Sequence, residues 1–255
     1  MLRPWIALLP LLCVLSSGCK HRRQATVRGK GVQPATSVIL AGADAAARKA
    51  RSEASLRKDG VKVNPALPPI VDRLAARLRP MDEAVDRAFA FVVVASKADG
   101  LPSDKLGELE RRIGATVALT PAETAFMQLS APDEKTNAER LEAAMAALDV
   151  LHWALSRFPE LEVPGKVPEK LDMLRLVRDD GPDAYRKGAR YRSLESILDA
   201  ADLAYRQHWA CTDARANAQP DPQGLRCAQV ADRHRTFRWL LGPKPQAWEA
   251  VTLEP

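Results

Sequence analysis

The sequence has no apolar run long enough to cross a bilayer. Its two strongest, Trp5–Leu15 and AFAFVVVA at 88–95, both fall well short of the roughly twenty residues a spanning helix needs. Short motifs that carry common chemistries are also missing. GxSxG, GxxxxGK(S/T) and GxGxxG do not occur, which points away from the usual serine hydrolases, phosphate-loop enzymes and dinucleotide oxidoreductases while leaving room for an unfamiliar active site. There is no HExxH, no CxxC and no close His-x-His pair, so neither a metal site nor a cofactor is expected from ligand spacing. Acidic residues are absent from 1–31, where Arg3, Lys20, Arg22, Arg23, Arg28 and Lys30 account for the whole formal charge of +6. From Val32 onward the chain is formally neutral, and a neutral domain offers nucleic acid no electrostatic footprint.

What is present begins with a leader. Arg3, the apolar stretch to Leu15, and the small residues Ser16, Ser17 and Gly18 have the order of a secretory signal. Cys19 directly after them resembles the lipobox of bacterial lipoproteins, although Ser16 stands where Leu is usual. The expectation is a signal peptide over 1–18, lipidation at Cys19, and a basic tether over 19–35. Its cations would favour anionic headgroups by about 1 kcal/mol per charge. The alternatives are an ordinary cleaved signal with a chance cysteine, and a tether that is only a spacer. Lys20 is not an aspartate-type retention signal, so by resemblance to enteric sorting the outer membrane is favoured. The expected localisation is the cell envelope, with the partner a membrane reached through the lipid.

Residues 36–255 read as one all-α domain without a substantial sheet. Helices are expected over Ser37–Lys58, Met81–Ala98 and Asp133–Phe158, with Thr120-Pro121-Ala122-Glu123 as a capping box. Asp59-Gly60 stops the first, and the three prolines of VKVNPALPPI keep Val61–Ile70 extended. The second is apolar all round and suits burial on every side. A shorter helix carries Leu171, Leu174 and Val177 and ends near Asp180-Gly181-Pro182. Ser193 caps a helix to about Ala216, and a last one covers Leu225–Leu241, the two forming an antiparallel hairpin.

That hairpin holds most of the unusual side chains. Leu194, Leu198, Ala201, Tyr205, Trp209 and Thr212 share one side of its first helix, and Glu195, Asp199, Asp202, Arg206 and Asp213 run beside them. On the last helix, Cys227, Val230, His234, Phe237 and Leu241 line one face, among Arg233, Arg235 and Arg238. Carboxylates beside a histidine would suit a general acid–base or metal site. The structural reading is preferred: Asp202 pairs with Arg206 one turn on, and the other acids meet arginines of the last helix. His208 projects away from the Asp202–Asp213 line. His234 and His152, on apolar faces, read as hydrogen-bonded core histidines. Tyr205, Trp209 and Trp239 read as core before they read as a ligand wall. Cys211 and Cys227 lie near the loop-facing ends of the two helices. A bridge would close a loop of about 17 residues for about 3 kcal/mol, but Cys211 points off the main apolar face, so bridge and free thiols stay open.

The pieces Arg192-Ser193, Ile197-Leu198-Asp199, Ala201-Asp202-Leu203, Tyr205-Arg206, His208-Trp209-Ala210, Asp213-Ala214-Arg215, Arg233-His234, Trp239-Leu240 and Trp248-Glu249 occur in an order similar to the bacterial domain-of-unknown-function family DUF 4272. RSEASLRKDGVKVNPALPPI resembles that family's opening segment, so the likeness runs from about Arg48 to Thr252. The chain departs from the family's usual pattern at Arg238, where Asn is common, and in its two cysteines. The resemblance implies a helical domain without an assigned substrate. It marks Asp202, Tyr205, His208, Trp209, Asp213, Arg215, His234 and Trp239 as the candidate set. The expected role is a non-enzymatic envelope lipoprotein that binds a protein or a small ligand. The rivals are a hydrolytic or metal-assisted enzyme using Asp202 and Asp213 with a histidine, and a purely architectural protein.

Overall fold

The computed structural model describes residues 35–114, 118–165, 170–179, 181–242 and 246–253, with side chains from Asp44 onward except at 170 and 171. The leader, Cys19 and the basic tether lie outside the described residues. Every regular element among the described residues is helical: α1 (Ala35–Lys58), α2 (Met81–Ala98), α3 (Ser103–Ile113), α4 (Pro121–Gln128), α5 (Glu134–Ala154), α6 (Lys170–Arg178), α7 (Pro182–Gly188), α8 (Leu194–Ala216) and α9 (Cys227–Leu241), then a 3-10 turn at Trp248–Ala250. Neighbours run in the order α2, α5, α9, α8, α1, with α3, α4 and α6 packed around α2 and α5.

The central helix is α2. Asp82 and Glu83 in its first turn suit the positive end of the helix dipole, and Lys97 suits the other end. Gly100 in the left-handed region (φ 84°) lets Leu101 N–H reach the Ser96 carbonyl at 2.9 Å while Gly100 N–H reaches that of Lys97 at 2.9 Å. That double bond is a Schellman stop. Ala84, Val85, Ala88, Phe89, Val92 and Val93 are all buried, as the continuous apolar run requires. At α4 the capping box is complete: Thr120 Oγ1 accepts from Glu123 N–H at 3.2 Å, and Glu123 accepts from Thr120 N–H at 2.9 Å.

Three features differ from expectation. Helix α5 ends at Ala154 rather than Phe158, because its last carbonyls are taken by another segment. Arg190 and Arg192 N–H donate to Leu155 and Ala154 O at 3.0 and 2.9 Å. The Arg192 guanidinium caps Trp153, Phe158 and Pro159 O at 2.8, 2.7 and 2.6 Å. Helix α3 has no counterpart among the expected elements, since charge dominates its sequence, yet Leu106, Leu109 and Ile113 form a buried edge. Gly181-Pro182, which reads as a stop, is also a start: Pro182 opens α7 at the first helical position, where its missing N–H costs nothing.

Candidate functional site

Helix α8 is polar on two sides, and the sides behave differently. Ser193 begins it, accepting from Ser196 N–H at 3.1 Å. On one side lies the acidic stripe, and its partners come from α1 and the segment after it, not from α9. Asp199 pairs with Arg51 at 2.6 Å and Arg48 at 3.4 Å, Glu195 with Arg73 at 2.9 Å, and Asp213 with Lys62 at 2.7 Å. The expected pairing with the last helix is therefore corrected: α1 packs along this side of α8. Arg233 of α9 turns the other way and pairs with buried Asp149 of α5.

Asp202 and Arg206 pair as expected. Asp202 is fully buried and accepts from Arg206 at 2.8 and 3.1 Å. This pair also positions the next segment, because Arg206 donates onward to Pro68 O at 3.1 Å. Arg48 Nη1 lies 3.4 Å from Val71 O. Two buried guanidiniums thus hold both ends of Pro68-Pro69-Ile70-Val71, whose prolines have no N–H to give a helix or strand. Asp202 and Asp213 stand eleven residues apart on one helix, about 16 Å of rise. The structure does not bring them together. Among the described residues no three His, Cys, Asp or Glu side chains are grouped to hold a metal ion.

On the other side, α8 meets α9. The Cys211–Cys227 disulfide joins them, its Cα atoms 5.5 Å apart, so the pair left open by the sequence is bridged. Both sulfurs are buried with Val230 in a small cluster of their own, which is why Cys211 lies off the main apolar face. One turn below, His208 stacks on His234 with ring centroids 5.1 Å apart and 24° between planes, and Tyr205 lies 5.6 Å from His234. Bridge and ring contact progress in opposite directions along the two helices, as an antiparallel hairpin requires.

His234 departs from the expectation of a hydrogen-bonded core histidine. It is 3% exposed, and neither ring nitrogen has a hydrogen-bond partner among the described residues. Nδ1 of His208 is likewise buried without one. Burial, then the His208 ring and Arg238, push the His234 pKa down to about 3. His208 is lowered by burial and by Arg215, Arg238 and Arg235. Burial and nearby positive charge thus disfavour protonation of both of the facing imidazoles. His152 does meet the expectation: Nδ1 bonds the Tyr185 hydroxyl at 2.7 Å and Nε2 the Met173 carbonyl at 3.1 Å.

His234 and Tyr205 line a cleft of about 400 Å³ with Pro68–Val71 as one wall and Phe237, Arg238 and Leu241 as the other. The remaining aromatics go elsewhere. Trp209 sits under Lys62, 5.7 Å from ring centre to Nζ, beside Leu56 and Val61. Trp239 is in the core against Trp248 and under Arg79, 4.0 Å away. Of the candidate set, then, Tyr205, His208 and His234 converge; Asp202 acts through Arg206 on the wall; and Trp209, Asp213 and Trp239 lie apart. Arg215 is exposed and enters only through its charge on His208. No sequence motif marks the wall or Arg48 as part of a site, although the proline run is plain in the chain.

A second depression of about 370 Å³ lies beside Arg79 and Trp248. Its cations are already engaged: Arg87 forks onto Glu123 at 2.7 and 2.6 Å, and Arg79 binds the Trp239 and Gln246 carbonyls at 3.0 and 2.7 Å.

A family described as a domain of unknown function (DUF4272) matches residues 48–251. No curated protein and no solved structure matches the chain.

Proposed function

The chain belongs to the DUF4272 family, and we propose that its α8–α9 cleft is the binding site for a small ligand in an envelope-anchored lipoprotein. One observation carries the reading: a buried histidine with both nitrogens unengaged lines a preformed cleft. A buried polar group without a partner costs about 1–3 kcal/mol, and a ligand that supplies the partner recovers that cost on binding. The cleft volume of about 400 Å³ falls within the usual range for small-molecule sites, about 300–1,000 Å³, and its few polar groups sit among apolar walls as such sites require.

The site is also built to keep its shape. Arg206 and Arg48 fix the proline wall, and the disulfide fixes the distance between α8 and α9. A rigid site loses less entropy when it is filled. The bridge also supports an oxidising, extracytoplasmic compartment, in keeping with the leader and the cysteine at position 19.

The ligand reading is tested by nuclear magnetic resonance on the full-length chain with a panel of small polar fragments. Binding at the cleft moves the His208, His234 and Tyr205 ring signals together and is lost in His234→Phe. If the only fragments that bind shift signals elsewhere, the reading fails. For the anchor, Cys19→Ser should leave the chain unlipidated and recoverable without detergent, and undiminished membrane retention would refute it.

A further inference from the structure

The cleft meets the His234 ring, yet both ring nitrogens are closed to solvent. A ligand that bonds to either nitrogen therefore needs a wall to move. The helical walls are held. Helices α8 and α9 are joined by the Cys211–Cys227 bridge, and Ala201, Phe237 and Leu241 anchor them in the main core. At the end of the cleft Arg79 donates to the Gln246 carbonyl at 2.7 Å.

The Pro68–Val71 wall differs in kind. It belongs to an irregular segment pinned at one end by Val61 N–H on Leu56 O at 2.8 Å, and at the other by Arg79 N–H on Leu240 O at 3.0 Å. Among the described residues, the main chain between those points bonds to main chain only locally. Leu67 N–H donates to Asn64 O, and the N–H groups of Ala75 and Ala76 donate to Asp72 O. Pro65, Pro68 and Pro69 have no N–H with which to make more. Of residues 64–71 only Leu67 is buried, while Pro65, Ala66, Pro68 and Pro69 are exposed. A segment with so little buried apolar surface and no ladder opens locally at low free energy.

What holds it is a row of cations on its carbonyls. Lys49 of α1 donates to Pro65 O and Leu67 O, both at 2.6 Å. Arg206 of α8 donates to Pro68 O at 3.1 Å, and Arg48 Nη1 lies 3.4 Å from Val71 O. The two guanidiniums are buried and fixed in turn by Asp202 and Asp44. The Lys49 side chain is 23% exposed, so water replaces its two carbonyls without a charge being stranded in the interior.

We propose that residues 64–71 form a strap over the cleft, with Lys49 as its latch, and that the His234 nitrogens are reached when the strap lifts. This rests on the reading of the cleft as a ligand site, and adds how it is entered. The contacts that give the closed wall its shape are side chains on carbonyls, so the strap lifts without breaking a helix.

Carbethoxylation of histidine by diethylpyrocarbonate, read by mass spectrometry on the full-length chain near neutral pH, tests it. His152 is the internal control: it is buried with both nitrogens bonded, and reacts only on global unfolding. His234 should react faster than His152 in the wild type. Lys49→Gln should speed His234 about ten-fold, as loss of a charged hydrogen bond implies, with His152 and the melting temperature unchanged. Lys49→Arg should stay close to the wild type. Equal, slow reaction of the two histidines in every variant overturns the strap. A His234 rate indifferent to Lys49→Gln places the opening elsewhere and overturns the latch, as does an equal acceleration of both histidines. The reagent stands in for no ligand, so a strap that fails this test leaves fragment binding at the cleft to be judged on its own signals.

Discussion

His152 and His234 are both buried and both held neutral by burial, at about 4 and about 3, yet they are opposite kinds of residue. His152 spends one nitrogen on Tyr185 and the other on Met173, deep among α5, α6 and α7. It is fully buried, with the Phe158 and Tyr185 rings packed against it, their centroids 5.3 and 5.4 Å away. His234 has the same chemistry and no such partners, and it faces a cleft. Burial alone therefore does not tell a histidine with its hydrogen bonds made from one whose nitrogens are unengaged. The difference lies in whether its hydrogen bonds are already made.

The contrast can be broken by mutation. His152→Ala leaves a cavity and orphans the Tyr185 hydroxyl and the Met173 carbonyl, so it should cost about 4 kcal/mol of unfolding free energy in urea. A loss under about 1 kcal/mol would place His152 outside the structural class.

Acid sharpens the contrast further. The unfolded chain protonates His234 near its ordinary value of 6.5, whereas the folded chain keeps it neutral to about 3. Because the folded pKa is the lower one, the stabilising contribution is full above 6.5 and is lost as pH falls. Wild type should lose stability relative to His234→Phe by about 1.4 kcal/mol per pH unit below that point, or about 2.7 kcal/mol by pH about 4.5. Titrating groups away from the pair cancel in the difference, and only His208, stacked on His234, adds a share of its own. Parallel curves would show that His234 is not held neutral.

The smallest effect is expected where both imidazoles are neutral anyway. Above about pH 7, His234→Phe should stabilise the fold by about 1 kcal/mol, since no hydrogen bond is lost and buried nitrogens without partners give way to an apolar ring of similar shape. A large loss there would show that His234 holds the hairpin together.

Much of the scaffold is legible in the chain because it is set locally. The all-round apolar run of α2, the capping box before α4 and the Ser193 start of α8 each depend on residues within a turn or two. Helix α5 can be placed from its periodicity but not ended, because its end is fixed by Arg192, far along the chain. The same limit governs the site. Periodicity puts His234 on an apolar face correctly, but whether its nitrogens find partners depends on what the neighbouring helices bring. Adjacency in sequence assigns the acids of α8 to α9. Their true partners, Arg51, Lys62 and Arg73, precede α8 by more than a hundred residues. No spacing rule reaches that far. The disulfide is the long-range clue: once Cys211 and Cys227 are joined, the register of an antiparallel pair brings His208 toward His234.

The part played by Arg48 bears on how the domain can be cut. The family match begins at residue 48, which is midway along α1. A fragment trimmed to that boundary would discard Ala35–Ala47, including Asp44, which binds Arg48 at 2.5 Å. It would also put a new charged amino terminus and a fraying helical end on the residue that steadies Val71. Fragments meant to keep the cleft intact should start at or before Ala35; shorter ones would fold with a loosened wall.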